Sequence, residues 1–206
     1  MNKEKNINFG TKSVIVAIEG FDMVGKDYVL NNAKKFGLPP IRYYRPEYTL
    51  FDSMFTRNDA WVIGYAIIDY ISQGASMSED SNYMMPPAYM GFNRSIVSSL
   101  VYSELYGGTL HSLDNLKKIY DYYNYNSLKS RGVDVQIYHI SHYDEASAMK
   151  IMMASKDRDI NEALDNFDTF DAYWMMYSDA EKLFRKFYNF LGYTDHVKFI
   201  KNKYEG

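Results

Sequence analysis

Short apolar runs without alternation, separated by longer stretches with apolar residues every third or fourth position, set the rhythm of this chain. Ser13-Val14-Ile15-Val16-Ala17-Ile18 is the first run, and unbroken hydrophobicity over that length predicts a strand covered on both faces. Val29, Leu30, Ala33 and Phe36 then recur at helical spacing before Gly37, so residues 27–36 read as a helix with a glycine stop. Ile41-Arg42-Tyr43-Tyr44-Arg45 reads as a second strand, framed by Pro39-Pro40 and Pro46. Residues 59–73 carry Trp61, Ile63, Tyr65, Ile67, Ile68 and Ile71 in a helical pattern, and 74–82 form a polar connection. A third strand is expected over 86–92, a helix over 95–106, a further helical segment over 113–129 and a fourth strand over 133–140. A helix over 144–154, a charged stretch over 155–162, a long amphipathic helix over 168–191 and a last strand over 196–200 complete the series. Strands alternating with helices imply an α/β fold with a mainly parallel, doubly covered sheet. Ligands of such sheets sit at the carboxyl ends of the strands, which is where candidate chemistry belongs.

Composition narrows the class. At 206 residues the chain suits one domain, spanning 1–206, with a substantial core. It has no cysteine, which excludes disulfides and thiolate metal sites. No stretch approaches a membrane span and the polar start, Met1 to Phe9, lacks the apolar core of a signal peptide, so a cytoplasmic protein without membrane contact is expected. A net charge of −3 argues against a broad nucleic-acid surface. The 21 tyrosines and 12 methionines, with frequent Lys and Asn, fit an AT-rich coding sequence such as that of a phage or a low-GC bacterium.

The first strand runs into the strongest motif. Gly20-Phe21-Asp22-Met23-Val24-Gly25-Lys26 fits the G-x-x-x-x-G-K pattern of a phosphate-binding loop, but Asp27 stands where Ser or Thr is usual. Strand, glycine turn and helix together aim backbone N–H groups at an anion, and Lys26 adds a mobile positive charge. The missing hydroxyl matters because it normally contacts the Mg²⁺ that accompanies nucleotide phosphates. Other strand ends also gather polar residues: Arg45-Pro46-Glu47, Asn93-Arg94-Ser95 and Ser141-His142. Arg94 directly follows a buried strand, where a guanidinium can clamp a phosphate with two parallel hydrogen bonds or, alternatively, pair with Glu47 or Glu19. Arg45 offers the same chemistry, with a solvated strand-end role as the alternative. His111, His139, His142 and His196 show no metal-ligand spacing and receive no role.

The chain resembles the thymidylate kinase and deoxynucleoside kinase family. Ile18-Glu19-Gly20-Phe21-Asp22 is similar to that family's E-G-x-D, and Asn93-Arg94-Ser95 with Tyr102 is similar to its D-R-Y-x-x-S-x-x-A-Y segment. Arg45-Pro46-Glu47 is a scrambled relative of its R-E-P, and Asp144-Glu145-Ala146 resembles its P-E-E-A helix start. Asp157-Arg158-Asp159-Ile160-Asn161-Glu162, with Phe167, Tyr173 and Tyr177 downstream, is similar to the LID segment and its helix, which places a LID around 150–166. The matches keep family order from about residue 13 to 200.

The resemblance implies a P-loop NTPase three-layer fold, with a five-stranded mainly parallel sheet covered by helices on both faces. It implies transfer of a phosphoryl group from ATP, with Mg²⁺, to a deoxynucleoside monophosphate, dTMP or a related or modified deoxynucleotide. Gly20, Phe21, Asp22, Met23, Val24, Gly25, Lys26 and Asp27 would cradle the donor phosphates, and Arg94 and Arg45 would hold the acceptor phosphate. Arg158, with Lys156 or Lys150, would swing in to neutralise charge. That division suits a dissociative transition state, which needs positioning and counter-charge more than covalent help. Trp61 and Tyr65 could stack on a base, and Tyr102 matches a family tyrosine near base and sugar, with core packing as its alternative. A homodimer is implied by the same likeness.

Two departures concern the metal. Asp27 replaces the hydroxyl ligand, and Asn93 replaces the acidic residue of D-R-Y. One reading gives Asp27 the Mg²⁺ contact, since hard cations accept carboxylate oxygen. Another is a degenerate, kinase-like protein with a nucleotide-binding or structural role and no turnover. A third is a deoxynucleoside kinase with Glu47 as general base, because a 5′-hydroxyl acceptor must lose a proton. A DNA-binding scaffold is disfavoured by charge.

Overall fold

The structure is a computed structural model, and its described residues are 13–41, 43–44, 88–107, 113–156 and 169–203. Five strands form one sheet: β1 (Ser13–Glu19), β2 (Tyr43–Tyr44), β3 (Ala88–Asn93), β4 (Val133–His142) and β5 (Val197–Asn202). Their order is β2-β3-β1-β4-β5, and every neighbouring pair is parallel. β1 therefore lies centrally. Val14 to Glu19 are all buried, which is why that run shows no alternation. The register sets Ile18 beside Asn93 on β3 and Glu19 beside His139 on β4. The polar residues just past Ile18 and Asn93 consequently emerge side by side at the carboxyl edge.

The helices are α1 (Lys26–Asn31), α2 (Ile96–Leu105), α3 (Leu113–Tyr123), α4 (Tyr125–Ser130), α5 (Glu145–Lys156) and α6 (Phe170–Leu191). α1 is shorter than the 27–36 expected: after Asn31 the chain continues in tight turns to Gly37, at φ 67°. The segment expected as one helix over 113–129 is two. Asn124 adopts extended backbone, its Oδ1 accepts from Ser127 N at 2.9 Å, and its Nδ2 donates to Tyr120 O at 2.7 Å. A side chain that serves both as N-cap of α4 and as donor to the last turn of α3 breaks the helix there.

α6 starts at the Thr169 cap, whose Oγ1 accepts from Ala172 N at 3.2 Å, and stops at Gly192, φ 72°. Tyr173, Tyr177, Ala180, Phe184, Phe187, Tyr188 and Leu191 line its buried face at three- and four-residue spacing. That face packs on α2 and the sheet, so the end of α6 nearest residue 170 reaches the carboxyl edge of β1 and β4. The stretch expected as a LID over 150–166 begins inside regular structure, since α5 runs to Lys156; its remainder lies outside the described residues. The helix expected over 59–73 and its polar connection also lie outside them. Among the described residues no helix is long and apolar enough to cross a membrane.

Candidate functional site

The loop after β1 takes conformations that its residues alone explain. Gly20 has φ 134°, and a Cβ there would lie 2.3 Å from Ile140 O, so no side chain fits between loop and β4. Gly25, the N-cap of α1, has φ 82°, and its absent Cβ leaves room for Asn202 Nδ2, 2.3 Å from where that carbon would sit. Met23 adopts φ 64° without being glycine, a left-handed turn at the tip of the loop.

Lys26 turns back into this loop. Its Nζ donates to Gly20 O at 2.9 Å and to Phe21 O at 2.6 Å. Burial, and then the Arg94 guanidinium, push its pKa down to about 7, against the pull of Asp22, Glu19 and Asp27. Arg94 leaves β3 with φ 83°, its N–H bonded to Ile18 O at 2.8 Å. Its guanidinium lies 4.7 Å from the Tyr102 ring centroid and donates to the Asp22 carboxylate. Burial alone would raise the Asp22 pKa, but Arg94 and Lys26 outweigh it and hold the carboxyl below its ordinary value. Arg94, Lys26 and the Asp22 carboxylate thus share a half-buried space beside the ends of adjacent strands. An incoming anion would favour protonation of Lys26 and so meet net positive charge there.

The loop is anchored to the protein body by other side chains. Phe21 is fully buried, stacked on Tyr102 at 5.8 Å and tilted against Tyr173 and Tyr177. The Tyr173 hydroxyl donates to Asp22 O at 2.9 Å, and His142 Nε2 lies 2.6 Å from that hydroxyl. Because the tyrosine proton goes to a carbonyl, His142 is the donor in the second bond and carries its proton on Nε2. Burial, with Lys26 second, pushes the His142 pKa down to about 4, so the ring stays neutral at physiological pH. From β5, Asn202 Nδ2 donates to Val24 O at 2.9 Å while its own carbonyl accepts from Tyr143 N at 3.1 Å. Glu19, wholly buried before the loop, accepts from the Ser98 hydroxyl, and burial raises its pKa. His139 beside it bonds Tyr188 and Glu181.

The residues singled out from the sequence fall into two groups. The loop residues, Lys26, Asn93, Arg94 and Tyr102 come together at one edge. Arg94 pairs with Asp22 rather than with Glu19. Phe21 and Val24 give the loop only backbone, since both side chains are in the core. Tyr102 touches Phe21 and Arg94, so it is at once a packing residue and a wall of the site. Asp27 is exposed in the first turn of α1, and Asn93 is buried with Oδ1 lacking a hydrogen-bond partner among the described residues. Arg45, Glu47, Trp61, Tyr65 and Arg158 lie outside the described residues. The sequence reading gave no role to Asn202 or His142, and took Tyr173 only as part of a helix. The polar pair Ser141-His142 at a strand end was the one available hint.

No family model matches this sequence, and no curated protein matches it. Among solved structures the chain is similar to polyphosphate kinase 2 from Arthrobacter aurescens TC1, with TM-score 0.56 and 14% identity over 92% of this chain. The match covers 60% of that protein, so this chain spans less than two thirds of its length. It is also similar to deoxyadenosine kinase from M. mycoides with bound dCTP, at TM-score 0.42 and 16% identity, over 91% of this chain and 89% of that one. At such identities the likeness is one of fold, and only the first of the two is close enough to define it. Together with the loop geometry it defines the class: an α/β chain with a P-loop kinase-type fold, its parallel sheet flanked by helices.

Proposed function

We propose that this chain transfers a phosphoryl group from ATP to a deoxynucleoside monophosphate, with dTMP the favoured acceptor. The observation that carries the reading is the junction of β1 and β3. Lys26 reaches back from α1 to the carbonyls at the end of β1, and Arg94, paired with Asp22, follows the end of neighbouring β3, so a donor phosphate on the loop and an acceptor phosphate on the guanidinium would meet there. On binding, Lys26 exchanges its two carbonyl partners for phosphate oxygens, and Arg94 offers bidentate donors to the acceptor. Both hold counter-charge where the phosphoryl group passes. The choice of dTMP rests on the sequence resemblance around Asn93-Arg94-Ser95.

A monophosphate is favoured over a nucleoside because it needs no general base. Asp22 is paired to Arg94 and Glu19 is buried against Ser98, so neither is poised to deprotonate a hydroxyl, and Glu47, the base a nucleoside acceptor would require, lies outside the described residues. The donors for Mg²⁺ fit its habits. Asp27 supplies one exposed carboxylate and Asn93 one unpartnered oxygen, and this ion keeps several waters and phosphate oxygens of its own. When bound, the ion would neutralise phosphate charge.

The test is a phosphoryl-transfer screen with ATP or polyphosphate as donor against nucleosides and nucleoside monophosphates. The expected result is dTDP from ATP and dTMP, lost by about 100-fold in Lys26→Ala, the scale of removing one electrostatic donor. Product only with polyphosphate would replace the donor. No product with any acceptor would favour the degenerate, non-catalytic reading.

A further inference from the structure

A loop that binds an anion turns its N–H groups toward the ligand, so its carbonyls point elsewhere and need donors of their own. Here those donors are of two kinds. Lys26 caps Gly20 O and Phe21 O, but this is the group that must leave them to meet a phosphate. Asp22 O and Val24 O, on either side of the left-handed Met23, are held instead by Tyr173 from α6 and Asn202 from β5. We infer that Tyr173 and Asn202 are positioning residues for donor phosphate, the two side chains that keep the loop in its anion-binding shape once Lys26 swings away.

Both are built for that task. Tyr173 is fully buried, its ring packs on Phe21, and its hydroxyl is fixed from the far side by His142 Nε2. Asn202 is 3% exposed, is seated where only glycine at 25 leaves space, and has its backbone tied to Tyr143. Neither touches the outer face where Lys26 and Arg94 would meet substrate, so each acts through the loop backbone. A loop released at Asp22 or Val24 would sample conformations with its N–H groups misdirected, and phosphate would have to reorder it on binding. The inference rests on the reading of Gly20 to Lys26 as a phosphate site.

Metal-free binding of inorganic tripolyphosphate, measured by calorimetry, tests it apart from turnover, base recognition and Mg²⁺. Tyr173→Phe and Asn202→Ala should each weaken binding about five- to tenfold, the effect of one lost hydrogen bond on a preorganised loop. Tyr188→Phe is the matched control: it also removes a buried α6 hydroxyl bonded to a β4 histidine, His139, but that hydroxyl holds none of the loop carbonyls named above. It should lower the melting temperature and leave affinity unchanged. Hydrogen exchange of residues 20–25 should quicken in the first two variants and not in the control. Asn202→Ser serves if the alanine variant does not fold. Wild-type affinity in both Tyr173→Phe and Asn202→Ala, or an equal loss in Tyr188→Phe, overturns the positioning role while the phosphate site stands. A wild-type chain that binds neither tripolyphosphate nor ATP overturns both.

Discussion

Replacing Gly25 by alanine separates two costs that usually arrive together. Gly25 sits at φ 82°, and a left-handed backbone costs an L residue about 1–2 kcal/mol relative to glycine. Gly192 sits at φ 72° and carries the same backbone penalty, but a Cβ there meets only Tyr125 Cβ at 3.7 Å, an ordinary contact. At Gly25 the new carbon would lie 2.3 Å from Asn202 Nδ2. A flexible side-chain tip could retreat cheaply, yet this one is buried and bonded to Val24 O. Overpacking of that kind adds about 1–3 kcal/mol. Gly192→Ala should therefore cost about 1 kcal/mol after the reduced entropy of its unfolded chain is allowed for, and Gly25→Ala about 2–4 kcal/mol.

Urea unfolding of both variants gives the comparison directly. In an Asn202→Ala background the added methyl group has room, so the extra cost of Gly25→Ala should fall to the Gly192 level. The coupling in that double-mutant cycle should be about 1–3 kcal/mol. Gly25→Ala should also lose tripolyphosphate affinity, because the displaced Asn202 releases Val24 O. Equal destabilisation by the two alanines, or no coupling to Asn202, would refute the packing of β5 against the loop.

Four further outcomes follow from the same geometry. Phe21→Ala empties a fully buried, stacked position and should cost about 3–5 kcal/mol, read as a fall of roughly 10 °C in thermal midpoint; a surface-like loss under 1 kcal/mol would contradict the burial. Lys26, depressed from 10.5 to about 7, should gain a proton when phosphate binds, so calorimetry at about pH 8 in buffers of different ionisation enthalpy should show uptake approaching one proton, vanishing near pH 5.5. For folding the sign is opposite to that of a stabilising ion pair: the unfolded chain holds more protons between about pH 7 and 10.5, so the lysine's contribution to stability rises across that window, and Lys26→Met should flatten the rise. Asp27→Asn should raise the Mg²⁺ concentration needed for ATP binding severalfold while leaving or improving metal-free tripolyphosphate affinity, since the carboxylate repels bare phosphates; an unchanged Mg²⁺ titration would remove Asp27 from the metal.

Much of the fold was legible because the sheet is buried on both faces. Val14 to Ile18 could read as nothing but a covered strand, and Gly20, Gly25 and Lys26 follow from the steric and electrostatic needs of a phosphate loop. The split at Asn124 was hidden by apolar spacing that runs through it, because Leu116, Ile119, Tyr123 and Leu128 stay on one side of both helices. The short α1 was hidden for a similar reason: Ala33 and Phe36 still pack on the core from the turns beyond Asn31, so hydrophobic spacing overstated the helix. Arg94 was legible as a strand-end guanidinium, but its partner was not. The loop carboxylate that claims it lies 72 residues earlier, and Glu19, also a carboxylate and closer in register, is turned toward Ser98.

The remaining part of the site shows why motif reading stops at the loop itself. A phosphate loop is recognisable because its glycines and lysine act locally, within seven consecutive residues from Gly20 to Lys26. What holds its carbonyls acts across the fold: Tyr173 is 151 residues from Asp22, and Asn202 is 178 from Val24. Any element that ends near the loop can provide such a donor, so no spacing rule marks it. In a parallel sheet with β1 at the centre, β4 and β5 end beside the loop as a consequence of topology, and α6 packs across them. Donors at His142, Tyr173 and Asn202 are therefore what this strand order makes available, and each replaces water at a buried polar group. Substitutions there should therefore change donor-phosphate affinity with little effect on acceptor choice. Substitutions of Arg94 and Tyr102, on the β3 and α2 side, should instead weaken capture of the acceptor, whose phosphate the guanidinium would hold.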